Sequence, residues 1–243
     1  MSLSKGQIAG LTIGAALIAA LVGGQIALRS SHDPKVAVGK NDEVYYYRRA
    51  SKEDAMALGQ ALRGTGFFND RGTSVLLWRG GGPSIISFVV SNGAWQRPDA
   101  ITNYTEIGRR VANSVGGLPL EVHLVDPGRV IRRKMNVGKL LAGADILYYF
   151  GDATLADAHT FAAALQSAGY FSGLGFTAAL LKGEGTAVSF VVQDGGWDQP
   201  AVAATLERLV RQVAPSAGGL PIRLRLLDRE MGIRKELPLT VQP

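Results

Sequence analysis

The chain states one pattern twice, and that repeat limits the folds open to it. Val44-Tyr-Tyr-Tyr-Arg-Arg-Ala-Ser51 returns as Leu147-Tyr-Tyr-Phe-Gly-Asp-Ala-Thr154, 103 residues later, and Gly66-Phe67-Phe68 returns as Gly169-Tyr170-Phe171 at the same spacing. One residue is then lost in a turn. Ser87-Phe-Val-Val90 matches Ser189-Phe-Val-Val192 at a spacing of 102, and Asn92-Gly-Ala-Trp-Gln-Arg-Pro98 matches Asp194-Gly-Gly-Trp-Asp-Gln-Pro200. Gly116-Gly-Leu-Pro119 and Gly218-Gly-Leu-Pro221 keep that register. So long a match with one single-residue gap marks two copies of one supersecondary unit.

Each copy spells the same element order. An aromatic strand (44–47; 147–150) is followed by Ser51 or Thr154, three residues ahead of Asp54 or Asp157. That spacing lets side chain and backbone cap each other and opens a helix. Ala55, Leu58, Ala61 and Leu62, and in the second copy Ala158, Phe161, Ala162 and Leu165, fall on one helical face. Two strands joined by glycine-rich turns follow (74–79 and 84–90; 177–182 and 187–192). Pro98 and Pro200 suit the first turn of a second helix. Gly-Gly-Leu-Pro then turns the chain into a last strand (120–125; 222–227). The order β-α-β-β-α-β predicts an α+β protein of two tandem ferredoxin-like repeats, each an antiparallel sheet with both helices on one face. In topology alone this layout resembles ring-building and secretion-apparatus domains and the peptidoglycan-binding domains of cell-division proteins.

Ahead of the repeats, no charged residue occurs from Gly6 to Leu28. As a helix this stretch is about 34 Å long, enough for a hydrocarbon core of about 30 Å. It predicts an uncleaved single-pass anchor: a cleaved signal has a shorter apolar region and a small-x-small site, and Gln25-Ile-Ala-Leu-Arg29 is a poor one. The expected organisation is a tail (1–5), a transmembrane helix (6–28), a linker (29–42), repeat 1 (43–128), a basic linker (129–144) and repeat 2 (145–243). Arg29, Lys35, Lys40 and Arg48 behind the anchor favour a cytoplasmic body. The short lysine-bearing tail before it is the usual start of a signal-anchor that exports its C-terminal body, and the extracytoplasmic side is preferred. Gly6, Gly10 and Gly14 would line one helix face, where small residues permit close packing in lipid; a glycine- and alanine-rich composition explains them equally.

No catalytic, cofactor or metal motif emerges. There is no cysteine, and the three histidines, His32, His123 and His159, have no counterparts between copies. Gly80-Gly-Gly-Pro83 lacks the helix and lysine of a phosphate loop and reads as a hairpin turn. Asp126 and Asp228 end their strands, where a carboxylate caps a turn. The distinctive shared motif is Gly-x-Trp-x-x-Pro, at Gly93, Trp95, Pro98 and Gly195, Trp197, Pro200. It predicts a packed strand–helix corner, or a binding anchor if the tryptophan is exposed.

The net charge of +6 is unevenly placed: residues 42–139 carry 14 basic and 9 acidic side chains, residues 145–243 carry 8 and 10. Arg129, Arg132, Arg133 and Lys134 cluster in the predicted basic linker. They suit an acidic partner or lipid headgroups, or form a solvated linker. With no stacking-aromatic motif beside them, nucleic acid is not expected. The sequence therefore predicts a non-enzymatic, membrane-anchored accessory subunit without cofactor, docking on other membrane-protein subunits or on itself. The alternative is an envelope module that recognises cell-wall glycan or lipid headgroups.

Overall fold

The computed structural model describes residues 33–91 and 93–241. The predicted anchor, with Gly6, Gly10 and Gly14, lies outside them. Among the described residues no helix is long and apolar enough to cross a membrane. The first repeat comprises β1 (Lys35–Val38), β2 (Asp42–Arg48), α1 (Lys52–Gly64), β3 (Ser74–Arg79), β4 (Ser84–Val89), α2 (Pro98–Val111) and β5 (Leu120–Val125). A long strand, β6 (Ile131–Ala142), leads into β7 (Asp145–Gly151), α3 (Leu155–Ser167), β8 (Thr177–Lys182), β9 (Thr186–Val191), α4 (Pro200–Ala217), β10 (Ile222–Leu227) and β11 (Ile233–Leu239).

Local chemistry places the helices where the sequence predicts them. Ser51 Oγ accepts the Asp54 N–H while the Asp54 carboxylate accepts the Ser51 N–H at 2.9 Å; Thr154 and Asp157 repeat the arrangement. Pro98 and Pro200 each open their helix. The loop after each first helix is tied down by a carboxylate at the start of the repeat's first strand. Asp42 accepts the Asp70 and Thr73 N–H groups, and Asp145 those of Gly173, Gly175 and Phe176.

The sheet corrects the expected topology. The 11 strands of the described residues form one mixed sheet in sequential order, not two antiparallel ferredoxin-like sheets. Both crossovers join adjacent parallel strands, β2 to β3 and β4 to β5, with an antiparallel β3–β4 hairpin between them. A ferredoxin-like module instead interleaves its two halves. The string β-α-β-β-α-β is common to both arrangements, so element order alone does not choose. Because α1 and α2 share a face while their strand pairs run in opposite directions, the two crossovers are of opposite hand. The usual right-handed rule does not predict this.

Segments read as linkers are strands. Residues 129–144 contain β6, which pairs with β5 on one side and β7 on the other and fuses the two repeats into one sheet. Residues 29–42 contain β1 at one free edge, and β11 forms the other. The strand alternation was present in β6: Met135 and Val137 point into the core, while Lys134 is exposed.

Side-chain parity across this sheet puts the two helix pairs on opposite faces. Val44, Val75, Leu77, Ile86, Phe88, Val122, Met135 and Val137 build the first core with α1 and α2. Leu147, Leu180, Val188, Phe190, Leu224 and Leu226 build the second with α3 and α4. The first core does not stop at its own repeat. Phe150, Ala179, Leu181 and Ala187, on the back of repeat 2, belong to it as well. The two repeats are thus related by a flip, and α2 reaches across to the reverse side of its neighbour.

Candidate functional site

The flip leaves each repeat with a second sheet face, and the two have different fates. In repeat 2 that face carries Phe150, Ala179, Leu181, Ser189, Arg225 and Leu227, and Thr102, Glu106 and Arg110 of α2 stand over it around a cavity of about 560 Å³. Arg109 is held against Glu106 at 2.6 Å, with its Cζ 5.7 Å from the Tyr148 ring centroid. Arg225, 6 % exposed, donates to Glu236 at 2.6 Å.

In repeat 1, among the described residues, no helix lies over the equivalent face, and a groove of about 380 Å³ opens there. Register builds it row by row. Tyr47, Trp78, Ile85 and Glu121 are cross-strand neighbours, as are Leu76, Ser87, His123 and Lys134. Trp78 stacks on Tyr47 with ring centroids 4.2 Å apart and planes 18° apart, which makes an aromatic wall. Leu76, Ile85, Val125 and Ile131 supply apolar lining; Arg48, Arg79, Arg129 and Lys134 supply cations.

The polar groups are held in defined states. His123 is 4 % exposed, with Nε2 at 3.0 Å from Glu121 Oε2. Burial lowers its pKa, and nearby Lys134 adds to this against the opposing pull of Glu121. Burial thus favours the neutral ring. Burial also pushes the Tyr47 phenol up to about 12. Its hydroxyl donates to Asp33 Oδ2 at 3.3 Å and accepts from Arg129 Nη1 at 3.1 Å. Arg129 also pairs with Asp33 at 3.1 Å and lies 4.2 Å over Tyr45. Arg79 pairs with Asp54 at 2.6 Å in the first turn of α1. Arg48 adopts a left-handed backbone, φ 61°, at the end of β2.

Position-by-position comparison shows how far the faces have diverged. Trp78, Ile85, His123 and Lys134 stand where repeat 2 has Leu181, Ala187, Arg225 and Glu236. Arg48 and Arg129 stand where it has Gly151 and Met231, while Ser87 and Ser189 agree. The repeat 1 face carries an aromatic wall and cations; the repeat 2 face has smaller apolar groups and an ion pair between buried Arg225 and the exposed Glu236 carboxylate.

The residues singled out in the sequence distribute unevenly over this site. Of the basic cluster, Arg129 and Lys134 line the groove. Arg132 pairs with Asp126 at 2.7 Å and Arg133 with Asp152 at 2.8 Å, so the four do not form one patch. Gly93 and Gly195 adopt left-handed conformations, φ 83° and 78°, ahead of half-buried Trp95 and Trp197. Arg132 and Arg234 lie 5.6 and 5.5 Å over those rings, each fixed by the aspartate at the end of its strand. Asp126 and Asp228 also accept turn N–H groups from Val130 and Gly232, the capping role read from sequence. The motif thus forms matching corners in the two repeats, and neither tryptophan lines the groove.

Tyr47, Trp78 and Glu121 were not singled out in the sequence, and Arg48 only for the charge behind the anchor. The signal that could have found them is disagreement between otherwise matched strands. Among the described residues, no group of three or more His, Cys, Asp or Glu is placed to hold a metal. Comparison of the chain with protein-family models, curated proteins and solved structures gives no match.

Proposed function

We infer that this is a non-enzymatic, membrane-anchored accessory protein whose first repeat offers its uncovered face to a ligand. The observation that carries this reading is the unequal treatment of two equivalent faces: α2 stands over one, while among the described residues no helix lies over the other, which is aromatic-walled and cation-rimmed. Residues 6–28 serve as the single-pass anchor, and the body lies on the extracytoplasmic side.

Two occupants fit such a role: a subunit of a larger membrane complex, or an envelope ligand such as a glycan or lipid headgroup. A protein interface favours a broad apolar patch spanning both repeats. The site is instead a groove confined to one repeat, with a stacked aromatic wall beside cations. That supports the second occupant, with an anionic group as its recognised feature.

The test is purification of the full chain from native membranes in mild detergent, followed by mass spectrometry of the molecules that stay bound. The wild type is compared with Trp78→Leu/Lys134→Glu, which installs the residues of repeat 2. A small anionic envelope molecule retained by the wild type and lost from the folded double variant supports the reading. A protein subunit bound equally by both would replace it.

A further inference from the structure

We propose that the groove of repeat 1 seats the phosphodiester headgroup of an anionic phospholipid from the membrane that anchors the chain. This rests on the envelope-ligand reading above and gives its occupant a chemical class.

Three observations converge. First, the chain enters the described body at this face: Asp33 is tied to Tyr47 and to Arg129, which lines the groove. Five residue steps separate Leu28, the end of the uncharged stretch, from Asp33. Extended, they span at most about 18 Å. An anchor ending at Leu28 therefore holds this face close to the headgroup layer, which is roughly 5–8 Å deep on each side of the hydrocarbon. Second, the charge fits. Arg79 and Arg129 already have carboxylate partners, while Arg48 and Lys134 are exposed at the rim and suit a phosphate oxygen. Third, the lining fits. Trp78 presents an apolar ring with a polar edge, the side chain favoured at membrane interfaces. Ile85 and Ile131, partly exposed above buried Leu76 and Val125, offer an apolar floor for the glycerol backbone.

A second copy of the chain is a poorer occupant. By the internal repeat, the element that would cover this face is α4. Where α2 carries Glu106 over the sheet, α4 carries Arg208, a charge reversal that would set a cation against a cationic rim. Sheet continuation is also blunted at β11, an edge strand with Pro238 and three charged residues in a row, Arg234, Lys235 and Glu236.

The test uses the full chain with Trp95→Phe and Trp197→Phe, which leaves Trp78 as the single tryptophan, in nanodiscs of phosphatidylcholine alone or with 30 mol % phosphatidylglycerol. Acrylamide quenching of Trp78 is the readout. Phosphatidylglycerol is expected to protect Trp78 with a preference over phosphatidylcholine of roughly 30-fold, from about fivefold per cation for Arg48 and Lys134. Arg48→Gln/Lys134→Gln should reduce that preference to below about threefold while circular dichroism stays unchanged. Equal quenching in both discs overturns the proposal. So does protection by soluble glycerol 3-phosphate in phosphatidylcholine discs without any effect of phosphatidylglycerol, which identifies a free phosphate as the ligand. If lipid gives no protection but Trp78→Leu/Lys134→Glu still strips a co-purified envelope molecule, the lipid assignment fails and the broader reading stands. If alkaline carbonate releases the protein from membranes, the anchor fails; flotation with phosphatidylglycerol or phosphatidylcholine vesicles then decides the groove separately.

Discussion

Replacing Gly108 by alanine should destabilise the protein, although alanine is the better helix former. Gly108 sits in α2 where the helix passes over the sheet. A Cβ there would lie 2.6 Å from Val122 Cγ2 and 3.5 Å from Leu120 Cδ1 and Val137 Cγ2. Comfortable carbon contacts are about 3.5–4.0 Å, so helix or sheet must retreat by roughly 1 Å at the tightest point. Val122 cannot easily turn aside: it is fully buried and stiff at χ1. Overpacking of this kind costs about 1–3 kcal/mol, against about 1 kcal/mol of helix propensity gained. The expected net loss is on the order of 1 kcal/mol. Gly64, at the end of α1, is the control, since a Cβ there meets nothing within 4 Å. Gly64→Ala should stabilise by about 0.5–1 kcal/mol. Urea unfolding of the two variants, followed by tryptophan fluorescence, measures the difference. Lifting α2 should also speed amide exchange in β7 and β8, whose back α2 roofs. Equal stabilisation by both substitutions would refute the close approach.

Further outcomes concern the fixed carboxylates and the anchor. Asp145→Ala should lower the urea midpoint more than Asp42→Ala, because it orphans three backbone N–H groups against two. Lys182→Met should return Asp157 from about 2 toward the ordinary carboxylate range, since the Lys182 hydrogen bond is the largest cause of its depression, followed by the Thr154 backbone. A depressed carboxylate stabilises above its unfolded pKa near 3.8 and loses that contribution as pH falls toward about 2. The wild type should therefore lead Lys182→Met at pH 5 and converge with it at pH 2, a comparison acid-unfolding curves supply. In the anchor, Gly10→Leu/Gly14→Leu should insert normally yet lose a co-purifying helix partner, whereas Ala15→Leu/Ala19→Leu should not. Indistinguishable behaviour in a membrane association assay would make the glycines compositional.

Local structure was legible because local rules decide it. The capping pairs Ser51–Asp54 and Thr154–Asp157, the prolines that open α2 and α4, and the hairpin strands 74–79 and 177–182 lie where periodicity and turn chemistry put them. Strand neighbours were not legible, because pairing is a long-range choice that β-α-β-β-α-β leaves open. The basic run Arg132-Arg133-Lys134 hid β6: charge suggested a linker, but alternation sends Met135 inward and Lys134 outward. β1 and β11 are short or charged edge strands, which carry little apolar signal. The groove escaped notice for a different reason. Agreement between repeats drew attention to Trp95 and Trp197, which serve a shared corner, while the face that differs, Trp78 against Leu181 and Lys134 against Glu236, is where the repeats have parted.

The function proposed for the protein depends on one face being open to a ligand and its twin being roofed by the chain itself. A diazirine analogue of leucine, placed at Ile85 or at Leu181 and activated by light in native membranes, tests this directly. Ile85 lines the open groove; Leu181 lies beneath Thr102, Glu106 and Arg110 of α2. Position 181 should cross-link to residues 102–110 of its own chain, while position 85 should capture a small anionic envelope molecule and add its mass to the β4 peptide. Cross-linking of position 85 to its own chain, or capture of the same external molecule at both positions, would contradict this division of the two faces.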